Sequence, residues 1–418
     1  MKTKEYINSR MLRSSLANTP QITFEVTDAC NLNCVYCGYG KLYSDYDERD
    51  NKKLDINKAT RFLDYLVGLW DSSLNKSVNN VIHLSFYGGE PLMNVPFIEA
   101  IVNYASRIKD KPRKFAYSMT TNGLLLHKHI DFLVANDFSL LISLDGNEFS
   151  NSYRINKNGQ NSFNKVTENI KRLKKQYPNY FARKVNFNAV LHNRNSVAVI
   201  YDFFRKKYNK VPRIGALNDA GIRPEMKDEF LRMYQNTIDS LMQSEKYGEL
   251  ETEMFLSSPT YHSATIFLMQ YSDFKYENYI ELLYGKPEKI NIYPTGTCLP
   301  FSKKIFITVN GKILPCERIG HQFALGLIEN NSINLDFEEI AQKYNQYFSK
   351  LDSQCSRCNN SKSCIQCIFN LQDIEKEKCG CNGFMNHERF QEYKNAQLNF
   401  LARHPEAYAR IMNDVIYR

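Results

Sequence analysis

From residue 22 to residue 217, short runs rich in β-branched, aromatic and leucine side chains alternate with longer stretches whose apolar positions recur three and four residues apart. The short runs read as strands and the longer stretches as amphipathic helices. The strands fall at 22–27, 81–87, 114–121, 139–144, 184–191 and 213–217, and the helices at 56–70, 95–109, 128–136, 163–175 and 196–208. Strands joined through helices pair in parallel, and right-handed crossovers of this kind curl toward a barrel with ligands at the carboxyl ends of the strands. The expected architecture is an α/β fold, a partial (β/α)6 barrel over residues 1–218.

Beyond that point the alternation stops. Residues 225–242 and 261–283 read as helices of a linker spanning 219–290, and 390–417 as a terminal helix within 386–418. Between them, 291–385 is a small cysteine-rich segment with helices and one β-hairpin. Asn310 and Gly311, set between the apolar runs 305–309 and 312–314, give the hairpin its turn and bring Cys298 near Cys316.

The strand ends carry the chemistry. Directly after the first strand come Cys30, Cys34 and Cys37, a CxxxCxxC loop with Tyr36 before its last cysteine. Three thiolates on one short loop suit three corners of a cubic [4Fe–4S] cluster, leaving one iron open to a small molecule. Structural zinc is the alternative. It favours four ligands in two short-spaced pairs, whereas the next cysteine here is Cys298 and no histidine lies near the loop. The second strand runs into Gly88, Gly89, Glu90 and Pro91. Paired glycines let a backbone approach a ligand closely, and Glu90 can accept a hydrogen bond from an ammonium group. After the fourth strand, Ser143 and Asp145 are followed in the 151–159 loop by Arg154, a hydroxyl and a guanidinium suited to clamping a carboxylate.

These motifs resemble those of the radical S-adenosylmethionine (SAM) superfamily, whose fold is a partial TIM-like barrel. The resemblance implies that Cys30, Cys34 and Cys37 hold the SAM-binding cluster and that Gly88, Gly89 and Glu90 hold the methionine amine of SAM. It also implies Tyr36, Ser143, Arg154 and Leu191 as further SAM contacts, Leu191 packing on adenine beside Tyr36. The remaining cysteines, Cys298, Cys316, Cys355, Cys358, Cys364, Cys367, Cys379 and Cys381, resemble the SPASM domain of peptide-modifying members: a cysteine, a spacer, glycine, four residues, a cysteine, then a cysteine-rich knot. By that pattern Cys298, Cys316 and Cys367 hold one auxiliary [4Fe–4S] cluster, and Cys355, Cys358 and Cys364 with Cys379 or Cys381 hold another, three clusters in all. Two structural zincs are the alternative for the knot, since paired CxxC spacings also mark zinc ribbons. Two departures from the family stand out: Cys364 and Cys367 enclose only two residues, and Cys379 and Cys381 form a pair where one cysteine is usual.

Glu317, next to Cys316, stands where related maturases carry an acidic residue and is the candidate base. The resemblance implies a peptide or protein substrate. The expected product is a thioether or carbon–carbon crosslink in a ribosomally made peptide, with formylglycine formation as the alternative and a non-catalytic iron–sulfur scaffold as the alternative of another class. It further implies an electron donor such as flavodoxin or ferredoxin. Only 29 residues precede Cys30, fewer than the leader-binding domain such maturases often carry, so a leader is expected to bind the linker helices, add a strand to an exposed edge, or use a separate leader-binding protein.

Composition adds bounds. The 418 residues are 43% hydrophobic, enough for more than one core. The net charge of +9 is dispersed, which implies no nucleic-acid partner and leaves an acidic peptide open. Residues 1–20 lack the apolar centre of a signal peptide and no apolar run could span a membrane, so the expected setting is the reducing cytoplasm.

Overall fold

A computed structural model describes residues 4–76, 81–108, 113–271, 294–361, 364–371, 373–377 and 379–416. The chain groups into two units. One comprises Ser9–Ser240 with Cys298–Ile340, the other Met1–Asn8, Leu241–Thr297 and Ala341–Arg418.

The first unit is built on β1 (Gln21–Thr27), β2 (Val81–Gly88), β3 (Lys114–Thr121), β4 (Ser139–Ser143), β5 (Val185–Leu191) and β6 (Arg213–Ala216). These six are hydrogen-bonded in chain order and all in parallel. The helices α1 (Ser9–Ala17), α2 (Ile56–Trp70), α3 (Val95–Arg107), α4 (Leu126–Ala135), α5 (Phe163–Gln176), α6 (Pro178–Lys184) and α7 (Val197–Tyr208) precede and connect them. This is the expected partial barrel, with α1 and α6 as additional helices. The alternation of β1 explains its place: Ile22, Phe24 and Val26 are fully buried, and Phe24 packs edge-on to Phe97 of α3 at 5.9 Å. Thr23, Glu25 and Thr27 point to the opposite face.

The predicted hairpin forms from β7 (Ile305–Ile307) and β8 (Lys312–Leu314), with Gly311 at φ 85° in its turn. β7 also pairs in parallel with β1, Ile22 opposite Ile305, and β9 (Gly326–Ile328) and β10 (Ile333–Asn334) extend the same ten-stranded sheet. Residues 298–340 therefore group with the barrel, which differs from a linear division of the chain at 290: hydrogen bonding to β1 draws the hairpin into the barrel's sheet.

The expected helix over 225–242 is two short ones, α8 (Lys227–Met233) and α9 (Thr237–Met242). In the second unit α10 (Tyr247–Met254) precedes α11 (Pro259–Tyr271), and the part of the 261–283 helix beyond Tyr271 lies outside the described residues. The long α12 spans Phe337–Cys355. The terminal helix is broken into α13 (His387–Arg403) and α14 (Pro405–Ile411), because Pro405 disfavours helical backbone at His404. Tyr261, Ala264, Phe400, Ala407 and Ile411 form the core there. Among the described residues, no helix is long and apolar enough to cross a membrane.

Candidate active site

The cysteine loop begins where β1 ends and is held by backbone on every side. Asp28 N donates to Lys52 O (3.2 Å), Asn33 N to Ile155 O (2.7 Å) and Val35 N to Tyr153 O (3.1 Å). Just beyond β2, Gly89 N donates to Thr27 O (2.8 Å) and Glu90 N to Ala29 O (2.9 Å). A Cβ on Gly88, at φ 123°, would lie 2.4 Å from Thr27 O, and one on Gly89 would lie 2.1 Å from Ala29 O. The close approach that these glycines permit is thus to the cysteine loop itself.

Three N–H donors face the thiols of this loop. Leu32 N lies 3.4 Å from Cys30 Sγ, Asn122 Nδ2 lies 3.7 Å from the same sulfur, and Arg49 Nη2 lies 3.4 Å from Cys37 Sγ. Donors aimed at sulfur suit thiolates whose lone pairs are shared with iron, so this donor set fits a [4Fe–4S] cluster. Burial pushes the Cys30 thiol up and the Cys34 thiol up to about 12, the latter against the pull of Arg154. Metal loading must therefore displace protons.

Glu90 is fully buried at the joint of β2, β3 and the cysteine loop. Its Oε1 accepts from Thr121 Oγ1 (2.6 Å) and Leu92 N (3.1 Å), and its Oε2 from Asn122 N (2.7 Å). Burial raises its carboxyl to about 7 despite these three donors. A carboxylate offers about four acceptor positions, so one on Oε2 is left for a cation. Asn122 in turn donates to Asn31 Oδ1 (2.7 Å), which ties this carboxylate to the cysteine loop.

At the ends of β4 and β5 a second buried carboxylate, Asp145, organises two of the other expected contacts, Tyr36 and Arg154. The Tyr36 hydroxyl donates to its Oδ2, Val190 N donates to its Oδ1 (2.9 Å), and Arg154 Nε lies 3.0 Å from Oδ1. Tyr36 stacks on His192 with ring centroids 5.7 Å apart, and Tyr153 meets the same imidazole edge-on at 4.8 Å. Burial works against the Asp145 charge, yet the Arg154 guanidinium holds its carboxyl below the usual carboxylate range. Ser143 closes β4, half-buried, and Leu191 closes β5 fully buried.

The hairpin region brings Cys316 and Glu317 into the first unit together with Cys298. Both Glu317 oxygens lie 3.1 Å from Lys304 Nζ, and Cys316 Sγ donates to Oε2 (3.6 Å). Although burial pushes the Glu317 carboxyl up, Lys304 holds it below its ordinary value, while burial drives the Cys316 thiol up to about 12. Glu317 is therefore ionised at neutral pH and weak as a base while Lys304 stays paired with it.

The other six cysteines belong to the second unit. Cys355 ends α12, Cys358 N donates to its carbonyl (3.1 Å), and Cys358 Sγ accepts from Met385 N (3.4 Å). Cys381 N is held by Gln354 Oε1 at 3.0 Å. Burial raises the Cys355 thiol to about 11, and the neighbouring Cys364, Cys381 and Cys358 sulfurs push it the same way. Burial likewise raises the Cys364 thiol, with Cys381 and Cys358 pushing the same way, and raises the Cys379 thiol, where Lys350 pulls against it and Cys381 adds to it. Among the described residues, no three His, Cys, Asp or Glu side chains converge as ligands of a single metal ion.

Sequence reasoning missed Arg49, Asn122 and His192 as neighbours of these groups. Asn122 was visible as the end of a strand; Arg49 and His192 carried no motif.

Residues 24–204 match the family model described as the Radical SAM superfamily. The chain is 26% identical to the cysteine-type anaerobic sulfatase-maturating enzyme of Clostridium novyi (strain NT), over 79% of this chain and 82% of that protein. It is 25% identical to the radical SAM cyclopropyl synthase TigE of Paramaledivibacter caminithermalis (strain DSM 15212 / CIP 107654 / DViRD3), over 54% of this chain and 46% of that one. The solved structure of native anSMEcpe with bound AdoMet and Cp18Cys peptide shares the fold, with TM-score 0.56 at 19% identity over 94% of this chain and 99% of that chain.

Proposed function

From the radical SAM domain that this chain carries over residues 24–204, we propose that the protein abstracts hydrogen from a peptide or protein substrate, most simply to crosslink a ribosomally made peptide through a thioether or carbon–carbon bond. The observation that carries the reading is the CxxxCxxC loop with N–H donors aimed at its sulfurs, joined through Asn122 to the buried carboxylate of Glu90. A [4Fe–4S] cluster would be held by Cys30, Cys34 and Cys37 and would supply the electron for reductive cleavage of SAM, chemistry no side chain performs. The chain's own residues bind and orient. Glu90 Oε2 takes the SAM amine, Ser143 and the Nη groups of Arg154 take its carboxylate, and Tyr36 and Leu191 line the adenine side. Asp145 keeps Arg154 and Tyr36 in place for this. Glu317, released from Lys304 by substrate, takes the proton of the substrate group that is oxidised, and the electron left on the product radical would pass to an auxiliary cluster held by the SPASM-like cysteines.

Likeness to the Clostridium novyi enzyme over most of both chains supports a second reading, oxidation of a Cys or Ser to formylglycine. For a cysteine substrate the two readings separate by product mass. A crosslink keeps the peptide's heavy atoms and loses two hydrogens, whereas formylglycine formation at Cys loses two hydrogens and also exchanges sulfur for oxygen. Incubating the reduced protein with SAM and either a cysteine-bearing sulfatase peptide or the peptide encoded beside its gene decides between them.

The Glu90 carboxyl, raised to about 7, must be ionised to hold an ammonium group. Its raised value means the folded apoprotein keeps a proton there that SAM expels. SAM affinity should therefore rise about tenfold from pH 6 to pH 8 and then level. Glu90→Gln should bind SAM about ten- to a hundredfold more weakly at pH 8 and lose the pH dependence. Equilibrium dialysis with labelled SAM checks both, and an unaltered affinity in the variant would reduce the segment to a turn.

For the knot we propose Cys381 as the partner of Cys355, Cys358 and Cys364. Cys381→Ala should then lower iron by about a third or change the cluster spectra, whereas Cys379→Ala should leave this cluster's spectrum intact. The opposite pattern reverses the assignment.

A further inference from the structure

Arg49 lies twelve residues beyond Cys37, in a segment that folds back along the end of β1. Lys53 bridges Thr27 in antiparallel fashion, Leu54 N donates to Val26 O (3.2 Å), and Asp50 N donates to Asp28 Oδ2 (3.0 Å). On the other side Asp47 is fixed to the hairpin by Lys312 Nζ (2.6 Å) and Asn310 Nδ2 (2.8 Å). Arg49 is thus pinned from both flanks. Its guanidinium carbon sits 4.5 Å from the Tyr39 ring centroid while Nη2 reaches Cys37 Sγ at 3.4 Å. Stacking alone would need no N–H aimed at sulfur.

Resting on the assignment of the first cluster to Cys30, Cys34 and Cys37, we propose that Arg49 is a positioning residue that sets this cluster's reduction potential. Reduction adds one electron from a one-electron donor of the flavodoxin or ferredoxin class, with no bond made or broken. The added negative charge is spread over iron and sulfur, so a fixed cation and an N–H···S bond stabilise the reduced form more than the oxidised one. Arg49 therefore raises the potential and brings the cluster within reach of its donor.

The test is a potentiometric titration of the full chain, anaerobically reconstituted, followed on the EPR signal that SAM perturbs. At the potential where the unsubstituted protein is half reduced, Arg49→Met should show an about tenfold lower ratio of reduced to oxidised cluster, equivalent to about 59 mV for a one-electron couple. Arg49→Gln, which keeps a donor without the charge, should shift the same way by less. Equal ratios in all three proteins at equal iron content overturn the proposal. Should Arg49→Met fail to hold the cluster, the Gln variant is read alone, and an unshifted ratio there overturns it too. Absence of any SAM-perturbed signal in the unsubstituted protein overturns instead the assignment on which the proposal rests.

Discussion

Replacing Cys30, Cys34 and Cys37 together by Ala is expected to abolish SAM cleavage and remove about a third of an iron content of about twelve atoms per chain. The loss should be local. The loop is held by the backbone bonds of Asn33, Val35, Gly89 and Glu90, none of which uses a cysteine side chain, so the folded barrel should survive with an unchanged circular dichroism spectrum. Iron analysis and chromatography of 5′-deoxyadenosine read the two effects separately. Iron unchanged by the triple substitution would remove the first cluster from this loop.

Asp145→Ala should have the largest effect on stability. It leaves the Arg154 side chain, 8% exposed, without its counter-charge, and the Tyr36 hydroxyl and Val190 N without their acceptor. Removing one partner of such a buried pair costs about 3–5 kcal/mol, whereas replacing both by apolar residues is far milder. Urea unfolding should accordingly show a large loss for Asp145→Ala and substantial recovery in Asp145→Leu with Arg154→Met, although SAM binding stays lost in the double variant. Because the folded-state carboxyl of Asp145 lies below its unfolded value, its contribution is fully present above the ordinary carboxylate range and fades as pH falls through the folded value. A cost within about 1 kcal/mol for Asp145→Ala would mean that water already solvates the pair.

The strand and helix alternation of the barrel was legible because apolar residues recur at each element's own period, as Ile22, Phe24 and Val26 do in β1. The partner of β7 was not. The hairpin announces itself through Asn310 and Gly311, yet nothing in three apolar residues states that their outer edge pairs with Ile22, Thr23 and Phe24 far back in the chain. The cysteine loop and Glu90 were legible through spacing. Their supports were not, since Arg49 reaches Cys37 only because Asp47 and Asp50 fix its loop, and His192 meets Tyr36 only because β4 and β5 lie side by side. Burial was equally hidden: Gly88 and Gly89 suggested a ligand's approach, whereas the backbone of Thr27 and Ala29 occupies that space.

The central claim, that the loop and Glu90 form a site where SAM is cleaved reductively, is tested most directly by incubating the reconstituted, dithionite-reduced protein with SAM without oxygen. The account predicts 5′-deoxyadenosine and methionine in equal amounts, formed by the intact chain and absent from the triple-cysteine variant. Full iron loading with no 5′-deoxyadenosine in either protein would contradict it.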